Sequence, residues 1–128
     1  MSEEILERLL FILESIEIIQ KRFGVIKNPD EFIASDEGFT ILDSIAMRLQ
    51  SIGESVKSIY KLDNQFLISY TEIEWEKVIK MRDMLSHHYD GFDHEIIYQI
   101  CVVYIPELKH TIQKMLRSIN KREIEDES

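Results

Sequence analysis

Apolar residues recur along this chain at alternating steps of three and four. Ile5, Leu9, Ile12, Leu13, Ile16, Ile19 and Phe23 form a first stripe, and Leu42, Ile45, Leu49, Ile52, Val56 and Ile59 a second, the most regular. Trp75, Val78, Arg82, Leu85 and Tyr89 form a third, and Ile97, Cys101, Tyr104, Leu108, Met115 and Ile119 a fourth. That spacing is one face of an α-helix, and no stretch reads as a strand or an internal repeat. The pattern predicts an all-α fold, an antiparallel up-and-down bundle of four long helices and one short one.

The polar residues between the stripes mark boundaries. Glu3, Glu4 and Glu7 suit the positive end of the first helix dipole, Lys21 and Arg22 suit its negative end, and Gly24 can close it. Asn28-Pro29-Asp30-Glu31 reads as an N-cap, a proline at the first helical position and a capping acid, starting a short helix that Ser35 through Gly38 interrupts. Gly53 inside the second seam costs about 1 kcal/mol relative to alanine, which predicts close approach of a neighbouring helix. Residues 61–70 read as a connection, and Thr71 with Glu74 as the capping box of a third helix. Gly91 and Asp93 mark a break, with Asp93 capping the last helix; Pro106 should kink that helix rather than end it, because the apolar spacing resumes beyond it. These boundaries predict a single domain over residues 1–120 and a charged, frayed tail over 121–128.

The third stripe departs from a packing seam. Arg82 is a permanent cation on a face otherwise suited to a core, and Asp83, Ser86, His87, His88 and Tyr89 follow it closely. Arg82 and His87 would point about 140° apart on an ideal helix, whereas Asp83 and His87 can touch and the carboxylate would orient the imidazole. A cation, a histidine able to move a proton and a nearby tyrosine suit chemistry on a phosphodiester. Histidine can activate the attacking hydroxyl or protonate the leaving oxygen, and arginine can stabilise charge on the phosphoryl oxygens. RNA carries its own nucleophile in the 2′-hydroxyl, so this chemistry requires no metal or other cofactor.

Charge and composition narrow the setting. A formal net charge of −9 argues against a protein that simply coats nucleic acid. Residues 1–74 carry 14 acidic and 7 basic side chains, whereas residues 75–117 carry six of each, so the region around Arg82 is the least acidic. Neutral is not basic, so RNA contact there must be local or supplied by a second copy. No apolar run approaches the ~20 residues that span a bilayer, and the acidic start MSEEILERLL is unlike a basic secretory signal. The single cysteine, Cys101, cannot form an internal disulfide, which fits a reducing cytoplasm.

Arg82-Asp83-Met84-Leu85-Ser86-His87 has the form Arg-x4-His, which resembles the signature of the HEPN superfamily of ribonucleases; with Tyr89 it resembles the HepT toxin branch. Ile52-Gly53-Glu54, Ile73-Glu74-Trp75 and Ile105-Pro106-Glu107-Leu108 fall where HepT-like chains have similar residues, so the likeness covers residues 5–118. The resemblance implies a helical homodimer whose two motifs meet in a composite, metal-independent RNase site built from two copies of Arg82 and His87. It also implies a minimal nucleotidyltransferase antitoxin that transfers AMP to Tyr89 and blocks the site. Asp83, Ser86 and His88 are then supporting residues; His88 fills a variable position and competes with His87 for the proton-transfer role.

Simpler roles exist for each residue. Arg82 can belong to a structural ion pair, His87 and His88 to a helix C-terminus favoured by the dipole, and Tyr89 to aromatic packing. His87, His88 and His94 lack the spacing of a metal site. Trp75, Met81 and Met84 read as core or dimer contacts, and Cys101 as inert packing. The alternative function is a non-catalytic HEPN interaction module that binds a nucleotidyltransferase or a nucleotide.

Overall fold

The computed structural model describes residues 3–85 and 91–127, with side chains described as far as Lys121. The chain is an all-α bundle, as the four seams predict. Helix α1 spans Glu3–Phe23 and α2 spans Asp36–Leu62. The two pack along their length, with Ile5, Leu9, Ile12, Ile16 and Ile19 buried against Leu42, Ile45, Leu49, Ile52, Val56 and Ile59. Each such side chain, moved from water into this core, contributes about 2 kcal/mol. Arg22, in the last turn of α1, donates to Ser44 Oγ of α2.

The connection between them is a single 3-10 turn, Pro29–Phe32, that buries Phe32 completely. Asn28 Oδ1 accepts from the Glu31 amide at 3.2 Å, as expected of an N-cap, but the Glu31 carboxylate accepts from the amide of Lys27, one residue before the cap, rather than from Asn28. Residues Ser35 through Gly38 do not interrupt a helix, contrary to the sequence reading. Ser35 Oγ caps α2 by accepting from the Gly38 amide at 3.0 Å, and Gly38 is already in the first helical turn. Glycine at 38 is required by contact, since a Cβ there would lie 2.1 Å from the Glu31 carbonyl oxygen.

Beyond α2, residues 61–70 are not a bare connection. They include a short helix, α3 (Asn64–Ile68), capped by Asp63, whose carboxylate accepts from the Phe66 amide at 3.2 Å. Helices α4 (Trp75–Ile79) and α5 (Met81–Leu85) follow, both packed on α2. The last part begins with α6 (His94–Gln99), passes through a π-helical turn at Ile100–Tyr104 and continues as α7 (Ile105–Glu127). Backbone dihedrals stay helical at both junctions, so these pieces form one long element. Asp93 caps it as expected, its Oδ1 accepting from the amides of Glu95 and Ile96 at 3.0 and 3.1 Å, while Gly91 before it takes φ 101°.

Pro106 explains the π turn. Its ring would crowd the carbonyl four residues back, and it supplies no N–H; widening the preceding turn relieves both problems without a break. At the end of this turn Ile105 takes the buried position and Tyr104, expected on the seam, is 53% exposed, while Leu108, Met115 and Ile119 are buried as expected.

Gly53 confirms the close approach read from the sequence. A Cβ there would lie 2.8 Å from the Val78 carbonyl oxygen and 3.3 Å from Met81 Cβ. Gly53→Ala should therefore push α4 and α5 off α2. The helix-propensity gain of alanine offsets part of the cost, and a net loss of about 1–2 kcal/mol is expected, read as a lower midpoint in urea unfolding.

Candidate functional site around Arg82

The expected third helix is divided at Lys80. Its φ of −89° and ψ of 16° leave the helical basin, while its carbonyl accepts from the amides of Asp83 and Met84 at 3.0 and 3.4 Å to start α5. Nor does Thr71 form a capping box with Glu74. Glu74 occupies the N-cap of α4 with no side-chain cap bond, and its carboxylate instead takes Lys77 Nζ at 2.9 Å. Trp75 is anchored differently, donating from Nε1 to the Tyr70 carbonyl at 3.0 Å.

This division decides which side chains enter the core. Trp75, Val78, Met81 and Leu85 are buried, whereas Arg82, Asp83 and Met84 are exposed. The stripe that was to carry Arg82 on a buried face is corrected: the turn at Lys80 shifts the register, Met81 fills the core position, and Arg82 is presented outward. Ser86, His87, His88 and Tyr89 lie outside the described residues. The chain on either side of them is joined, because the Asp93 amide donates to the Leu85 carbonyl at 3.0 Å. Of the three histidines weighed as a metal set, His94 faces Asp30, with Nε2 3.6 Å from Oδ1.

Beside α5 lies a groove of about 450 Å³. Val78, Met81 and Met84 form one wall and Ile100, Ile105 and Leu108 the other, with Tyr104 at its margin. Its rim carries Glu72, Glu74, Glu76 and Glu107 against Lys77 and Lys80. An apolar slot with a mostly acidic rim is unsuited to a phosphodiester backbone. Sequence periodicity did not find this groove, because it depends on the displaced Tyr104 and on the turn at Lys80. Burial pushes the Cys101 thiol pKa up to about 12, so it is inert packing, as expected.

Glu72 also lines the groove. Its Oε1 accepts from Lys114 Nζ at 2.9 Å and from Thr111 Oγ1 at 3.4 Å. The hydrogen bond from Lys114 is the main reason its carboxyl is held below the ordinary carboxylate range, its own backbone amide and the Lys114 charge adding to it against partial desolvation. A depressed folded pKa stabilises the native state above the unfolded carboxylate range, and that contribution is lost as pH falls through the lower folded value. Acid titration should therefore shift the emission of Trp75, the only tryptophan, in a step that lies below the ordinary carboxylate range. In Glu72→Gln that low-pH step should be absent.

A family model described as Ribonuclease HepT-like matches residues 12–115. The chain belongs to the HepT-like family. Among its relatives is the "Probable ribonuclease HepT" of Thermococcus cleftensis, 31% identical over 104 residues that cover 81% of this chain and 88% of that protein. Relatives from Methanocaldococcus jannaschii include two more. One, named "Gamma-glutamylcyclotransferase and putative RNase", is 33% identical over 110 residues, 86% of this chain; the other, named "Putative RNase", is 33% identical over 85 residues, 66% of this chain. The matched region spans 46% of the first and 65% of the second, so each is longer than the part they share with this chain. No solved structure matches the chain. Among the described residues, no helix is long and apolar enough to cross a membrane.

Proposed function

We propose that this HepT-like chain is a metal-independent endoribonuclease and the toxin of a toxin–antitoxin pair, acting in the cytoplasm as a homodimer. The observation that carries the reading is the outward placement of Arg82 on α5, within an intact Arg82-x4-His87-x-Tyr89 motif in a chain of this family. An exposed guanidinium at the end of a helix that packs on α2 can meet RNA and a second protomer together. In the dimer two copies of Arg82 and two of His87 would share one cleft, which removes the difficulty that the two residues diverge along a single helix.

In that cleft His87 exchanges the proton of the 2′-hydroxyl or of the leaving 5′-oxygen, and Arg82 stabilises charge on the phosphoryl oxygens. Attack by the 2′-oxygen forms its bond to phosphorus as the 5′-oxygen leaves, giving a 2′,3′-cyclic phosphate. Asp83 orients His87, while Ser86 and His88 support substrate contact. A minimal nucleotidyltransferase antitoxin would silence the site by transferring AMP to Tyr89, adding bulk and negative charge where RNA phosphate binds.

A second reading keeps the family but not turnover: a HEPN module that binds a nucleotidyltransferase. The acidic-rimmed apolar groove favours it, being better suited to protein than to RNA. Growth assays separate the two. Expression of the wild type alone should arrest cells and His87→Ala should not; equal arrest by both would remove the catalytic reading.

A further inference from the structure

The helices that present Arg82 are held from two sides. On one side, α4 and α5 rest on α2, where Gly53 allows the close approach. On the other, the groove separates Met81 and Met84 from Ile105 and Leu108, and the polar tie across it is at Glu72. Three features make that tie more than a surface ion pair. Thr111, which donates to Glu72, is completely buried. Lys114 Nζ also lies 5.6 Å from the centroid of the Tyr70 ring. The Tyr70 carbonyl in turn takes the indole N–H of Trp75, the first residue of α4, and the Tyr70 ring meets Phe66 edge-on at 5.8 Å. Residues 70, 72 and 75 thus lash the start of α4 to α7, forty-two positions away along the chain at Lys114.

We propose that Glu72 is a positioning residue: by clasping Thr111 and Lys114 it fixes how the Trp75–Leu85 segment stands beside α7, and so where Arg82 is presented. The clasp contributes little to global stability, because Glu72 and Lys114 are only partly shielded from solvent, with side chains 34% and 49% exposed. Its effect is local. Lys80 is a ready pivot between α4 and α5, and releasing the start of α4 lets the segment move without unfolding the bundle. The consequence for turnover rests on the RNase reading above; the structural clasp does not.

The test is hydrogen exchange, followed by mass spectrometry on the full chain, of wild type, Glu72→Ala and the charge swap Glu72→Lys with Lys114→Glu. In Glu72→Ala the amides of Met81–Leu85 should exchange about tenfold faster, with protection of α1 and α2 unchanged. On RNA, kcat should fall about tenfold with KM within about twofold, because positioning acts on the reacting geometry rather than on binding. The swap should recover most of both losses. Unchanged exchange at Met81–Leu85 in Glu72→Ala overturns the clasp. Faster exchange with unchanged kcat overturns the positioning role. If the wild type cleaves no RNA, the RNase reading is what fails, and exchange at Met81–Leu85 still decides whether Glu72 holds that segment.

Discussion

Replacing Gly38 with alanine should lower the melting temperature by about 10 °C, corresponding to about 3 kcal/mol for a domain of this size. The added Cβ would meet the Glu31 carbonyl oxygen at 2.1 Å, the Phe32 carbonyl oxygen at 3.0 Å and the Phe32 carbonyl carbon at 3.1 Å. All three are backbone atoms, so no side chain can swing away. The 3-10 turn must move, and with it the completely buried Phe32, whose ring packs on Phe23 and Tyr98 at centroid distances of 6.2 and 6.5 Å. Tyr98 in turn donates to the Lys27 carbonyl at 3.0 Å, so the disturbance reaches the last helical element. Gly24→Ala is the matched control: its Cβ would meet the Lys21 carbonyl oxygen at 3.3 Å and the Gln20 carbonyl oxygen at 3.5 Å, a far milder contact. Thermal unfolding of the two variants, followed by circular dichroism, checks the contrast.

The second large effect is on chemistry. Arg82→Ala and His87→Ala should each reduce RNA cleavage by about a hundredfold or more, the usual cost of removing a charge-stabilising or proton-transferring group. Arg82 is exposed on α5, so Arg82→Ala should leave stability within about 1 kcal/mol of wild type. Arg82→Lys is the more discriminating substitution. It keeps the charge and loses the planar fork, so a residual activity well below wild type would show that bidentate phosphoryl contact matters, not charge alone. Steady-state cleavage of a labelled RNA with a melting curve for each variant separates lost chemistry from lost fold.

Much of the architecture was legible because it is written in side chains. All six residues of the second seam are buried, Asp93 caps the last element through its carboxylate, and Gly53 stands where α2 meets α4 and α5. What escaped the sequence is written in the backbone. The turn at Lys80 involves no glycine or proline, and it moved Arg82 from an apparent seam to the surface. Pro106 announced a distortion, but not that a π turn would absorb it and expose Tyr104. Gly38 looked like a break because a tight contact with Glu31 and Phe32 cannot be told, in one dimension, from a loop. The Glu72 clasp joins positions too far apart for any spacing rule to connect. Of the candidate site, Arg82 and Asp83 lie exposed on α5, the second piece of the divided third helix, while Ser86, His87, His88 and Tyr89 fall outside the described residues.

RNA cleavage by purified protein in EDTA, after intact mass has shown Tyr89 and every other residue unmodified, decides whether this chain is the proposed RNase. Products ending in 2′,3′-cyclic phosphate are expected from wild type and should be lost in both Arg82→Ala and His87→Ala. No cleavage by the unmodified wild type, or cleavage that survives either substitution, would contradict the proposal.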